Sequence, residues 1–351
     1  MGIIRDRGIP ALMVAGTVYA SLAVADLIAA VFLTPDPPSH QGLYQDEQAR
    51  GYAHSPGFSG TIRTTSEFEV TINSNGYRDR EWTYDVPRRI LVVGDSFTFG
   101  EPLAVDLTLF SRLRTRLENA EVAIFNAGIS GYGLAQILGT VRKECPVVRP
   151  ERILYLFYLN DLSREAMRTD SMRVVDGWLV PAFDAQEPGR ALSDQEIRAS
   201  IDAALQNLRA ADVLALQHIA AIVRRSGLVG GADDGATESV LETDDPLAYP
   251  PENSGLAAAL LQSIAVAAEA CGAEFTMVIL AADWELRLGV REPATERLLE
   301  AVAEDGLDIL DLRTPADPNR ILRLPNDNHY NPAAADWAAG RIADHLQRLG
   351  N

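Results

Sequence analysis

Lysine is nearly absent. Lys143 is the only one in 351 residues, so arginine carries almost all of the positive charge. Asp and Glu number 49 against 31 Lys and Arg, for a net charge of −18. No basic cluster stands out against that background, which excludes nucleic acid and an anionic membrane surface as main partners, because both are held by clustered Lys and Arg. Cysteine is almost as scarce. Cys145 and Cys271 are the only two, and neither they nor the five histidines show ligand spacing. No metal and no cofactor is therefore expected. There is no internal repeat, and 47% hydrophobic with 23% charged residues is ordinary globular usage, which excludes disorder overall.

What is present starts with an apolar run. Ile9 to Leu33, IPALMVAGTVYASLAVADLIAAVFL, spans 25 residues whose only formal charge is Asp26, enough to cross a bilayer. Arg5 and Arg7 precede it, and TPDPPSHQGLYQDEQ after it has no Lys or Arg, so the body is expected on the periplasmic side. Residues 1–33 are read as a signal anchor. The alternative is a signal peptide cleaved after Ala25, within Ala23-Val24-Ala25, which would secrete the body. A buried core helix is the plainer reading, disfavoured because the run has no polar periodicity.

Residues 34–87 read as a linker and a small β appendage. Thr34 to about Gly60 is rich in Pro, Gly, Gln and Ser. Thr61 to Asn73 then alternates as one strand with Phe68, Val70 and Ile72 on one face, Asn75-Gly76 signals a turn, and Tyr77 to Trp82 follows. From Arg88 the pattern changes. Apolar runs at Ile90–Val93, Val122–Phe125, Ile153–Tyr158, Phe275–Leu280 and Leu307–Leu312 alternate with helical stretches at Leu103–Glu118, Gly133–Glu144, Ala257–Ala270, Ala294–Glu304 and Ala333–Leu349. Continuous apolar strands separated by helices imply a parallel sheet covered on both faces. An insertion at about 162–255 is longer than such a connection needs. It holds a predicted helix from the capping box Ser193-Asp-Gln-Glu to about Arg225, then a Gly/Asp-rich loop from Gly227 to Asp245. A lid and a surface excursion are both open readings for it.

Ser96 is the candidate nucleophile, set in Gly94-Asp95-Ser96 where the first strand of the sheet ends. The tripeptide alone arises by chance in about one in ten chains of this length, so the case rests on residues downstream. Acyl transfer by serine needs a base, an acid to orient it and donors for the oxyanion. His329, in the polar loop Pro325-Asn-Asp-Asn-His-Tyr-Asn-Pro332, is the candidate base, and Asp327 the acid. His40, His54, His218 and His345 fit worse by position. Gly131, in Asn126-Ala-Gly-Ile-Ser-Gly-Tyr-Gly133, and Asn160, at the end of the third strand, are candidate donors, although Gly-rich loops and Asn-Asp pairs are also common turn chemistry.

Four blocks in order, GDS at Gly94–Ser96, the glycine of ISG at Gly131, the asparagine of LND at Asn160 and DNH at Asp327–His329, resemble the signature of the SGNH (GDSL-like) hydrolases. The likeness spans about Arg88 to Gly350. It implies an SGNH hydrolase domain over 88–351, α/β with a flavodoxin-like parallel five-stranded sheet in the order 2-1-3-4-5 and helices on both faces. It also implies Ser96 as nucleophile, His329 as base, Asp327 as acid, and the Ser96 N–H, Gly131 N–H and Asn160 side chain as oxyanion hole. The NSNGYRDREW and NAGISGYG stretches are similar to a bacterial envelope subgroup. Two features depart from the usual pattern: Leu-Asn-Asp stands where many members have Gly-x-Asn-Asp, and one residue in place of two separates acid from base. In the implied topology Cys145 and Cys271 end helices over the same face; two independent thiols are favoured over a disulfide. The expected function is an extracytoplasmic serine esterase acting on O-acyl, foremost acetyl, esters, with a cell-envelope glycan as candidate partner. A polysaccharide O-acyltransferase using the same site and a non-catalytic glycan-binding scaffold are the alternatives.

Overall fold

The structure is a computed structural model that describes residues 3–32, 40–117, 122–163, 167–184, 187, 189–203, 253–315, 317, 319–325 and 327–349. These fall into two compact units, one drawn from Met1–Pro37 and Leu192–Thr237, the other from Pro38–Ala191 and Glu238–Asn351. In the first unit, α1 (Ile3–Phe32) is a single helix and its Asp26 is fully buried. Its side chains are described for only part of its length. Among the described residues no helix is long and apolar enough to cross a membrane, so the expected membrane span finds no support in the structure. Residues 194–203 are helical, and the Ser193 capping box forms as read: Ser193 Oγ accepts from Glu196 N at 3.3 Å, and Glu196 Oε2 accepts from Ser193 N at 2.8 Å. The rest of that expected helix and the loop Gly227 to Asp245 lie outside the described residues.

The second unit opens with two hairpins, β1 (Tyr44–Glu47) with β2 (Gly51–His54) and β3 (Ser59–Arg63) with β4 (Glu67–Thr71). Both correct the sequence reading. The supposed lead-in holds a hairpin, and Thr61 to Asn73 is two strands turning at Thr64–Ser66, with Ile62 paired across from Phe68. Alternation alone could not show the reversal, because Ile62 and Phe68 are an even number of residues apart and face the same side. Tyr77 to Trp82 is not a strand but a bent segment, with the Tyr77 and Trp82 rings stacked at 5.0 Å. Nor is this region an appendage. Tyr52, Ile62, Phe68, Val70, Ile72 and Tyr77 share one hydrophobic core with the central strands.

The sheet follows: β5 (Arg88–Gly94), β6 (Val122–Asn126), β7 (Arg152–Phe157), then β10 (Glu274–Ile279) and β11 (Asp308–Asp311) after the inserted hairpin β8 (Met172–Val175) and β9 (Trp178–Pro181), which the sequence reading missed. The order β11-β10-β7-β5-β6 with every pair parallel is the 2-1-3-4-5 arrangement. Leu91–Val93 and Ile153–Phe157 are 0% exposed, as strands covered on both faces must be. Helices α3 (Leu109–Leu117) and α8 (Pro332–Leu349) pack together, as do α4 (Leu134–Val148) and α5 (Asn253–Ala270); α6 (Asp283–Leu288) and α7 (Pro293–Ala301) complete the set. Cys145 near the end of α4 and Cys271 just past α5 form a disulfide, with Cα atoms 6.2 Å apart. The sequence reading favoured separate thiols; packing of α4 on α5 brings their carboxyl ends together.

One buried side chain ties the hairpins to the sheet edge. Arg78, 3% exposed, donates to the carbonyls of Phe99 (3.2 Å), Gly100 (2.9 Å), Leu103 (2.8 Å) and, on β4, Glu69 (2.9 Å). Burial pushes its guanidinium down to about 10, still charged at neutral pH. Arg78→Met leaves these carbonyls without their donor, and stability should fall by roughly 3 kcal/mol, read from the midpoint of urea unfolding.

Candidate active site

The nucleophile turn is built by contact constraints on each residue. A Cβ at Gly94 would lie 2.1 Å from Thr98 Oγ1 and 2.9 Å from the Leu156 carbonyl, so only glycine lets β5 turn this tightly. Asp95, fully buried, caps α2 (Ser96–Phe99) by accepting from Phe97 N at 2.9 Å. Ser96 becomes the first helical residue, with its side chain at the carboxyl edge of the sheet, where open α/β folds hold ligands.

His329 approaches from an element that the sequence reading took for an open loop. Asp327–Tyr330 is a short strand, β13, paired with β12 (Arg323–Leu324). In a strand, residues two apart project to the same side, which explains the single residue between acid and base. His329 Nε2 lies 2.7 Å from Ser96 Oγ, and Nδ1 lies 2.5 Å from Asp327 Oδ1, which also accepts from the His329 N–H at 2.8 Å. The Phe97 ring, 4.9 Å from the imidazole, backs it from the nucleophile helix. Burial works against a charged imidazole, but the hydrogen bond and charge of Asp327, aided by Glu101 and Asp95, outweigh it and hold His329 above the usual histidine range. Asp327 is held below the usual carboxylate range: burial opposes this, while hydrogen bonds from His329 and Thr65 prevail.

The oxyanion candidates sit on the same edge. Asn160 follows β7 in the turn Leu159–Leu162 and donates through Nδ2 to Asp95 Oδ2 at 3.1 Å. An amide nitrogen carries two hydrogens, so one remains for a ligand. The Gly131 loop runs along the end of β5, with Ala127 N donating to Val92 O at 2.8 Å and Ile129 N to Gly94 O at 3.2 Å. Gly131 has φ +79°, and a Cβ there would lie 2.9 Å from Tyr52 Oη, which itself donates to the Ser130 carbonyl at 3.1 Å. Among the described residues neither the Ser96 N–H nor the Gly131 N–H has an acceptor.

Sequence reasoning missed Thr65 and Tyr52. Thr65 Oγ1, at the tip of the β3–β4 hairpin, donates to Asp327 Oδ2, the carboxylate oxygen that does not face the imidazole. Nothing in the local sequence signals a hydroxyl aimed across 262 residues. Of the other described histidines, none bonds to Ser96, His329 or Asp327; His40 is lowered by burial against the charge of Glu101. His54 is fully buried with neither ring nitrogen partnered, and burial pushes it down to about 3; His345 pairs with Asp308 at 3.0 Å. No group of His, Cys, Asp or Glu among the described residues could hold a metal ion.

Fold and site together define a class: a flavodoxin-like α/β domain with a serine, a histidine and an aspartate in hydrogen-bonded sequence at the carboxyl edge of its sheet. No family model matches the chain, and no curated protein does. Among solved structures it is similar to one of TesA, with 14% identity, 75% of this chain and 99% of that one covered, and a TM-score of 0.40. A psychrotrophic esterase EstA from Pseudoalteromonas sp. gives 12% identity, 75% and 100% coverage and a TM-score of 0.40. A lipase/acylhydrolase from Enterococcus faecalis gives 14%, 75% and 96%, and 0.39. Likeness this distant is silent on activity, and the chemistry rests on the geometry of the site.

Proposed function

We propose that the chain is a serine esterase that hydrolyses O-acyl esters, acetyl esters foremost, through an acyl-enzyme. The observation that carries this is the unbroken relay from Ser96 Oγ through His329 to Asp327, at 2.7 and 2.5 Å. His329 Nε2 takes the Ser96 proton as Oγ attacks the ester carbonyl. The oxygen that gains charge is received by the Ser96 and Gly131 N–H groups and the second hydrogen of Asn160 Nδ2. His329 then protonates the leaving alcohol, and water repeats the sequence on the acyl-enzyme. Thr65 and Asp95 touch no reacting atom. The first steadies Asp327 and the second holds Asn160 and the start of α2.

A bacterial envelope setting, with O-acylated glycan as substrate and the catalytic body outside the cytoplasm, is part of the same proposal. The apolar run Ile9–Leu33 with Arg5 and Arg7 before it supports this, and so does the Cys145–Cys271 disulfide, since such bonds persist where thiols are not kept reduced. The direct test is labelling by a fluorophosphonate probe, located by peptide mass, beside turnover of a panel of acyl esters that includes acetylated glycans. An adduct on Ser96 and hydrolysis of short acyl esters are expected; the absence of both would refute an esterase. Asn160→Ala should lower kcat by about 10²- to 10³-fold with little change in KM, the mark of a donor used in the transition state. An unchanged kcat would remove Asn160 from the oxyanion hole.

A further inference from the structure

Glu101 directly follows the nucleophile turn. Its N–H donates to the Ser96 carbonyl at 3.0 Å, and its Oε2 accepts from Ser130 Oγ at 2.6 Å, one residue before Gly131. The residue therefore joins the two parts of the site, its backbone tied to the turn that holds the nucleophile and its carboxylate to the loop that offers the Gly131 N–H. It is half-buried, and among the described residues it has no cation at ion-pair distance. Arg78 is near enough to feel its charge, but that guanidinium is taken up by backbone carbonyls. The imidazole of His329 feels it too, being raised in part by Glu101. His40 feels it as well. A carboxylate held by the loop before Gly131, within electrostatic reach of the catalytic imidazole and in no ion pair among the described residues, acts on whatever charge the substrate brings.

We propose that Glu101 is a specificity-determining residue: a fixed negative charge next to the reacting carbonyl that admits neutral and cationic esters and turns away esters carrying an anion close to the acyl group. This rests on the esterase reading above and narrows its substrate class. Among O-acylated glycans it favours neutral and amino sugars over those with a carboxylate or phosphate beside the acyl group. It also predicts that the acyl group transferred is uncharged, as acetyl is and succinyl is not.

The test compares kcat/KM for 4-nitrophenyl acetate and the singly anionic 4-nitrophenyl hemisuccinate, in the full chain and in Glu101→Gln and Glu101→Asp. Because each enzyme is scored on the ratio of the two esters, any general loss of activity cancels. The full chain should prefer acetate beyond the preference set by acyl size, and Glu101→Gln should move the ratio toward the anion by about tenfold, the order expected for one unit charge in a partly solvated site. Glu101→Asp, which keeps the charge, should hold the ratio near that of the full chain. Raising salt to about 1 M should shrink the full chain's preference in the same direction, since part of the field passes through solvent; this serves if the Gln variant does not fold. A ratio unchanged by both Glu101→Gln and salt overturns the assignment while leaving the esterase standing. A full chain that hydrolyses neither ester and takes no fluorophosphonate refutes both.

Discussion

Ser96→Ala should leave a folded protein whose ester turnover has fallen by roughly 10⁵- to 10⁶-fold. The expectation follows from how little else the hydroxyl does. Ser96 Oγ bonds to His329 Nε2, and the fold around it is held by Gly94, Asp95, Thr98 and backbone groups that alanine retains. Alanine is also a good first residue for a helix, so stability should stay within about 1 kcal/mol. What disappears is the nucleophile, and the acyl-enzyme with it. The measurement is kcat on a short acyl ester together with thermal unfolding. Turnover within tenfold of the parent, in a variant with an unchanged melting temperature, would mean that another group attacks the carbonyl.

Asp327→Asn is expected to cost about 10⁴-fold in kcat and to move the pH profile. In the parent, Asp327 accepts from His329 Nδ1 and so leaves Nε2 bare toward Ser96. An asparagine amide turned toward Nδ1 donates instead, which puts the ring proton on Nε2 and removes the base. The sign of the pH effect follows from the balance around the imidazole. Burial lowers its pKa, and Asp327 is the larger part of what raises it above the ordinary range. The rate needs neutral His329, so in the parent it drops as pH falls through that raised value. Without the Asp327 charge, burial prevails and the acid limb should shift to lower pH, on a much lower plateau. A profile of kcat/KM against pH reads both effects. A limb that stays in place would make another carboxylate, Glu101 or Asp95, the dominant influence on His329.

The central strands were legible because both faces of the sheet are covered, so each strand is an unbroken apolar run whose ends fall within a residue or two of those read from sequence. The four blocks were legible for a related reason. Parallel strands put every following loop on one edge, and chain order then maps directly onto spatial neighbourhood. What escaped depends on contacts that no local pattern encodes. The β3–β4 reversal at Thr64–Ser66 hides inside a period-two pattern that continues through it. The Asp327–Tyr330 strand reads as a turn because its polar residues face the site, not a core. Thr65 reaches Asp327, and Tyr52 reaches Ser130, only once the hairpins are packed on the sheet edge. The disulfide was misjudged because two cysteines give no pairing signal until α4 and α5 are seen side by side.

Arg78 grips the carbonyls on both sides of the point where the recognisable family likeness begins, Glu69 before Arg88 and Phe99, Gly100 and Leu103 after it. A boundary placed at Arg88 thus cuts through a single mechanical part. A chain begun there would lose the guanidinium under the nucleophile helix, the hydroxyl on Asp327 and the phenol against the Gly131 loop, and would uncover the inner faces of Phe99 and Phe125. A truncated or transplanted form of this domain has to carry residues 40–87 along with the catalytic residues that follow them.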